Sequence, residues 1–205
     1  MAERSSLVRL QGDYPIDLDW RGFELHPETP SGGRPLADLF GASRLGAMRD
    51  QLRRFAAGFG IQSLRPQDRL PNTRRALLLA EHGRDAGRLH PVRQAVMAAH
   101  WERGEDIEDD AVLAACAREA GMDPEAALRA LADPALGERV DAAAEEAARA
   151  GVTGIPTFVL GGRRIVGCQA YEVLAAAAEA AGARRVRPTP APGPPGGEGA
   201  GRPGR

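Results

Sequence analysis

At 205 residues the chain is long enough for one domain of ordinary size or two small ones, with room for a substantial apolar core. Hydrophobic residues make up 43% and charged residues 27%, which places it among globular rather than disordered proteins, and a net charge of -1 gives no global pull toward nucleic acid or an anionic membrane. All 27 basic residues are arginine, so the absence of lysine excludes Schiff-base and lysine-base chemistry.

The chain opens with Met-Ala-Glu-Arg-Ser-Ser, which lacks an apolar secretory core, and no apolar run approaches the ~20 residues of a membrane span. The expected compartment is therefore cytoplasmic. Ser5 or Ser6 is placed to cap a short helical piece carrying Leu7, Val8 and Leu10, which ends near Gly12. After Tyr14-Pro15, residues 16–23 alternate apolar and polar, with Ile16, Leu18 and Trp20 on one face, and read as a strand. Residues 26–35 read as a loop from their Pro and Gly content.

From residue 36 to 150 the pattern is helical throughout. The predicted segments are 36–40, 44–59, 73–86, 91–102, 111–119, 124–132 and 136–150. Asn72 and Thr73 are placed to cap the third of these, and Asp109 or Asp110 the fifth, with Gly121 just past its end. Asp123-Pro124 and Asp133-Pro134 each set a capping carboxylate before a proline suited to the first helical position. Two short strands, 157–160 and 164–166, follow around Gly161-Gly162, and a last helix runs over 171–181. From residue 184 the chain is mostly Arg, Pro, Gly and Ala with almost nothing to bury, so 184–205 reads as a disordered tail.

The segment Gly151-Val-Thr-Gly-Ile-Pro-Thr-Phe-Val-Leu160 stands between an Ala-rich helix and this hairpin. It resembles the cis-proline loop of thioredoxin-fold proteins in the form found in the DsbA-like family. Trp20-Arg-Gly-Phe-Glu-Leu-His-Pro-Glu28, Asn72-Thr-Arg-Arg-Ala76 and His100-Trp-Glu-Arg-Gly-Glu-Asp-Ile-Glu-Asp109 resemble further family segments in the same order. The resemblance spans the chain up to Gly182. It is nearest the FrnE-like branch, with 2-hydroxychromene-2-carboxylate isomerases and kappa-class glutathione transferases as relatives.

The resemblance implies an α/β fold, a thioredoxin-like core with a large all-helical insertion. The expected division is 1–35 and 138–183 for the core, 36–137 for the insertion and 184–205 for the tail. It implies a cis Ile155–Pro156 bond and a substrate-binding edge made of Thr153, Gly154, Ile155 and Pro156, where the backbone of Ile155 meets an extended peptide or glutathione. It also implies a Cys-x-x-Cys at a helix N-terminus, where the helix dipole lowers a thiol pKa. No such motif occurs among these 205 residues. Counting back from Trp20 by the family's spacing passes Met1, so the first strand and the motif are expected to be missing and the chain to be truncated at its N-terminus.

Two cysteines are present. Cys116 lies on an apolar helical face and reads as a small core residue, while Cys168 follows the last strand and is the better candidate for an exposed thiol. His26, His82, His90 and His100 are scattered without a paired spacing, so no metal site and no catalytic residue is assigned. Three readings stay open. The first is a thiol–disulfide oxidoreductase, inactive as written, that meets peptide or protein thiols. The second is a glutathione-dependent transferase or isomerase with serine in place of cysteine, for which Ser5 and Ser6 lie too near Trp20. The third is a non-catalytic binding module. None requires a bound cofactor, though glutathione fits as substrate or reductant.

Overall fold

A computed structural model describes residues 4–186 apart from 59 and 62, with side chains from Ser6 onward. Helix α1 (Arg4–Asp13) places Leu7, Leu10 and Tyr14 on one face, all nearly fully buried. That face packs on Leu174, Ala175 and Ala178 of the C-terminal helix α9 (Tyr171–Ala180). Apolar residues at i, i+3 and i+7 form the stripe that a helix buries, and each leucine so placed contributes roughly 1.5–3 kcal/mol.

Residues 16–23 are extended but form no strand, which corrects the sequence expectation. The alternation itself survives. Ile16, Leu18 and Trp20 turn to the α1–α9 core while Asp17, Asp19 and Arg21 face water. A strand needs a hydrogen-bonded neighbour, and among the described residues none lies alongside this segment. It is held instead by side chains: Arg84 donates to Asp19 and to the Trp20 carbonyl, and the Arg93 guanidinium lies 3.4 Å from the Trp20 ring centroid.

The stretch after residue 35 is helical except for one short ladder that the sequence did not announce. β1 (Arg34–Pro35) pairs antiparallel with β2 (Arg69–Leu70). Around it stand α2 (Leu36–Phe40) and α3 (Ala42–Ala57). Then come α4 (Arg74–Asp85), α5 (Leu89–Ala98), α6 (Asp110–Glu119), α7 (Pro124–Ala130) and α8 (Pro134–Arg149). The caps explain the boundaries. The carboxylates of Asp109, Asp123 and Asp133 accept from Ala111, Ala126 and Ala135, and the Asn72 side chain accepts from the Arg74 N–H. α5 runs on into a π-helical turn (Ala99–Arg103) that stops at Gly104.

α4 is the central helix. One face buries Ala76 and Leu79 against Val92, Leu113, Cys116 and Ala127 of α5, α6 and α7. Another packs Leu78 on Leu136 and Val140 of α8. Strands β3 (Thr157–Leu160) and β4 (Arg163–Val166) form an antiparallel hairpin around Gly161-Gly162. Both glycines have positive φ, at 54° and 79°, as a two-residue type I′ turn requires. Phe158, Leu160 and Ile165 pack on the α1–α9 core, leaving Val159 and Val166 exposed.

Arg185 and Val186, read from sequence as part of a disordered tail, lie against α1. The Val186 N–H donates to the Asp13 carbonyl at 2.7 Å and Arg185 donates to the Asp13 carboxylate at 2.6 Å. Local composition gave no sign of this, because the partner is at the other end of the chain. The remainder of that tail, 187–205, lies outside the described residues. Among the described residues no helix is long and apolar enough to cross a membrane.

The α1–α9 contact carries a pH-dependent link. Tyr14, 2% exposed, donates to the Glu179 carboxylate at 2.5 Å, and that bond together with burial pushes its pKa up to about 12. An unfolded tyrosine ionises near 10. The unfolded chain therefore releases this proton first as pH rises, so the stabilisation is complete below pH 10 and is lost between about 10 and 12. The melting-temperature advantage of wild type over Tyr14→Phe is expected to shrink across that window. Parallel melting curves from pH 8 upward would contradict it.

Candidate functional site

The loop between α8 and β3 is set by the way α8 ends. Gly151, at φ 63°, donates to the Ala148 carbonyl at 2.9 Å, and Val152 donates to the Ala147 carbonyl at 2.9 Å. These are the two bonds of a Schellman motif, which turns the chain sharply out of a helix. Arg164 of β4 donates to the Ala150 carbonyl, which places a cation at the negative end of the α8 dipole and ties the hairpin to it.

The Ile155–Pro156 peptide bond is cis. On one side of it the Thr157 hydroxyl donates to the Gly154 carbonyl at 2.6 Å. On the other the Gly167 N–H donates to the Pro156 carbonyl at 2.7 Å, extending the β3–β4 register by one bond. A Cβ on Gly154 would sit 3.4 Å from Val166 Cγ1, in ordinary van der Waals contact, so the loop lies directly against the hairpin. Between these anchors Ile155 is 59% exposed. Among the described residues its N–H and C=O make no hydrogen bond. Thr153 is also exposed, and Gly154 and Pro156 are half-buried. The four residues thus form one short edge whose ends are fastened and whose middle is open, beside the exposed Val159 and Val166.

Tertiary structure adds two residues to this neighbourhood. Ser6 lies inside the first turns of α1 rather than at its cap, because the helix begins at Arg4. Its hydroxyl donates to the Gln169 carbonyl at 3.2 Å, and the Gln169 amide donates to the Val166 carbonyl at 2.7 Å. Cys168, half-buried, sits between Gln169 and the Gly167 that bonds Pro156. The start of α1 and the Ile155 edge therefore meet across residues 167–169. The position of Cys168 one residue past the hairpin base was the available signal for its placement. Nothing in the sequence announced the Ser6 contact. The side chain of Ser5 lies outside the described residues.

The second cysteine is elsewhere. Cys116 is fully buried in α6, and burial pushes its thiol up to about 11, so it stays protonated and inert near neutral pH. Neither cysteine forms a disulfide. His100 is held by Gln67 at 3.1 Å and set edge-on to Trp101 in the π-helical turn, with burial lowering its pKa. These features occupy the helical part and contribute no group to the loop.

The model of the DSBA-like thioredoxin domain matches residues 2–179. The chain belongs to this family. Its fold is accordingly a DsbA-like thioredoxin fold, mostly helical with a small sheet. A solved structure of a probable DsbA oxidoreductase from Streptomyces coelicolor is similar at a TM-score of 0.77 and 27% identity, covering 88% of this chain and 83% of that one. A 2-hydroxychromene-2-carboxylate isomerase structure gives 0.66 at 21% identity, covering 88% of this DsbA-like chain and 87% of the isomerase. A putative protein disulfide isomerase from Nitrosomonas europaea gives 0.57 at 17% identity, over 68% and 74% of the two chains. At those identities the latter two share the fold alone. Comparison with curated proteins returns no match.

Proposed function

We propose that these residues form the substrate-recognition part of a DsbA-family thiol–disulfide oxidoreductase, in which Thr153, Gly154, Ile155 and Pro156 receive an extended peptide or a glutathione-like thiol. The observation that carries this reading is the open backbone of Ile155 between two internally bonded carbonyls, those of Gly154 and Pro156. An extended ligand gains main-chain hydrogen bonds by laying itself along such an edge, and Val159 and Val166 offer apolar contact beside it. Exchange chemistry needs a thiolate to attack and a second thiol to resolve the mixed disulfide. Cys116 is buried and protonated, and Cys168 has no second cysteine in a Cys-x-x-Cys relation to it. Binding without turnover is the reading these 205 residues support.

Two measurements test it together. Addition of an extended apolar peptide, or of glutathione, is expected to shift the backbone amide resonances of Thr153 and Ile155 while leaving those of α6 unmoved. Insulin reduction by the same sample is expected to stay at the buffer background. Absence of any shift at saturating ligand would remove the binding edge. Turnover clearly above background that disappears in Cys168→Ser would instead make Cys168 a catalytic nucleophile and overturn the inactive reading.

A further inference from the structure

The π-helical turn after α5 is capped from outside the helix. Its last carbonyls have no partners within the helix, as at every helix C-terminus. Residues 63–67, on the connection from α3 to β2, supply donors for them. The Arg65 N–H donates to the Trp101 carbonyl at 2.7 Å, and the Gln67 amide nitrogen donates to the His100 carbonyl at 3.3 Å and to the Glu105 carbonyl at 2.8 Å. The same amide nitrogen lies 3.1 Å from His100 Nδ1. On either side the connection is fastened by backbone bonds, from the Ile61 N–H to the Ala56 carbonyl and from the Leu36 N–H to the Asp68 carbonyl.

This arrangement fixes the protonation state of His100. An amide nitrogen only donates, so Nδ1 is the bare acceptor and the proton of the neutral ring sits on Nε2. Gln67 cannot turn its amide over to suit a protonated ring. Its oxygen would then face the His100 and Glu105 carbonyls, acceptor against acceptor. A proton on Nδ1 therefore sets two donors against each other between half-buried side chains, which costs more than the loss of the bond alone. Burial also disfavours the imidazolium and lowers the His100 pKa, against the opposing pull of Asp106. Other charges close by are engaged with each other: Arg103 with Glu105 and Glu119, and Asp68 with Arg49. Glu102 in the same turn and Arg65 on the facing stretch are of opposite sign.

We propose that Gln67 and His100 form an acid-sensitive clasp, in which protonation of the imidazole at Nδ1 expels the Gln67 amide and releases residues 63–67 from the turn after α5. None of residues 63–67 belongs to a buried apolar cluster, so nothing else of comparable strength holds them. The Arg65 bond remains, and one backbone bond is little against the conformational freedom that the released stretch regains. The clasp is complete above the ordinary histidine pKa of about 6.5 and weakens as pH falls below it, because the open form takes up the proton first.

Amide hydrogen exchange in the full chain reads the clasp directly. Corrected for intrinsic rates, exchange at the Arg65 amide is expected to rise between pH 7 and pH 5, by up to about tenfold for each pH unit below 6.5. The Leu113 amide in α6 should change far less, because the opening is local. His100→Asn keeps an acceptor oxygen near the place of Nδ1 and takes no charge, so the rise should vanish while Arg65 stays protected. Gln67→Met removes the donor and should leave Arg65 equally fast at both pH values. A flat Arg65 profile in wild type would overturn the proposal, as would an Arg65 amide in Gln67→Met that is as protected as in wild type. Acceleration at Leu113 as large as at Arg65 would mean global acid unfolding and also overturns it. A rise that survives in His100→Asn would move the switch to Asp106 or another carboxylate. Nitrogen chemical shifts of the His100 ring give a second reading: a bare Nδ1 is expected at pH 7, and a proton found there instead would refute the clasp.

Discussion

Leu113→Ala is expected to lower stability by about 3–4 kcal/mol and the melting temperature by about 6–16 °C. Leu113 is fully buried in α6, in a cluster with Leu79 of α4, Val92 of α5 and Ala127 of α7, all at 0% exposure. The cost of such a truncation is the lost transfer energy plus the cavity left behind, and it depends on how far the walls can close. Here the walls belong to several helices fastened at their ends. Asp109 and Asp123 cap α6 and α7. No single helix can shift inward without loosening another contact, so the cavity persists and the cost falls in the upper part of the usual range. The same truncation at Ile165, half-buried on the hairpin, should cost visibly less. Calorimetry of both variants decides the matter, and a loss below about 1 kcal/mol for Leu113→Ala would mean that the cluster is loosely packed.

Gly83→Ala is expected to destabilise the protein although alanine is the better helix former by about 1 kcal/mol. Gly83 is buried in α4 where it crosses α5. A Cβ there would lie 2.7 Å from Val92 Cγ2 and 3.3 Å from Val92 Cβ. Val92 is fully buried and β-branched, so it has no alternative rotamer into which it can retreat. The two helices must move apart, and overpacking of this kind costs about 1–3 kcal/mol, which outweighs the gain in propensity. Val92→Ala in the same chain should recover part of the loss, because the two residues share one contact. A Gly83→Ala protein that melts at or above the wild-type temperature would show that α5 gives way freely.

How much of this was legible in the sequence follows from the range of the forces involved. Helix caps act over two or three residues, so Asp109, Asp123 and Asp133 announced their helices correctly. The Gly161-Gly162 hairpin was visible for the same reason. The candidate edge, Thr153 to Pro156, is contiguous in the chain and lies between a helix stop and a strand start, both of them local signals.

Pairing is different, because a ladder is a property of two segments. The alternation of Ile16, Leu18 and Trp20 correctly told which side faces the core, but it could not supply the hydrogen-bonded neighbour that would make residues 16–23 a strand. The same limit hid the β1–β2 ladder, the docking of Arg185 and Val186 on Asp13, and the approach of Ser6 to the loop that carries Cys168. The sequence by itself thus determined the helices and the turn chemistry. Tertiary structure alone decided which backbone groups found partners and which, at Ile155, were left open. Hydrogen bonds between distant segments form only where hydrophobic packing has already brought those segments together.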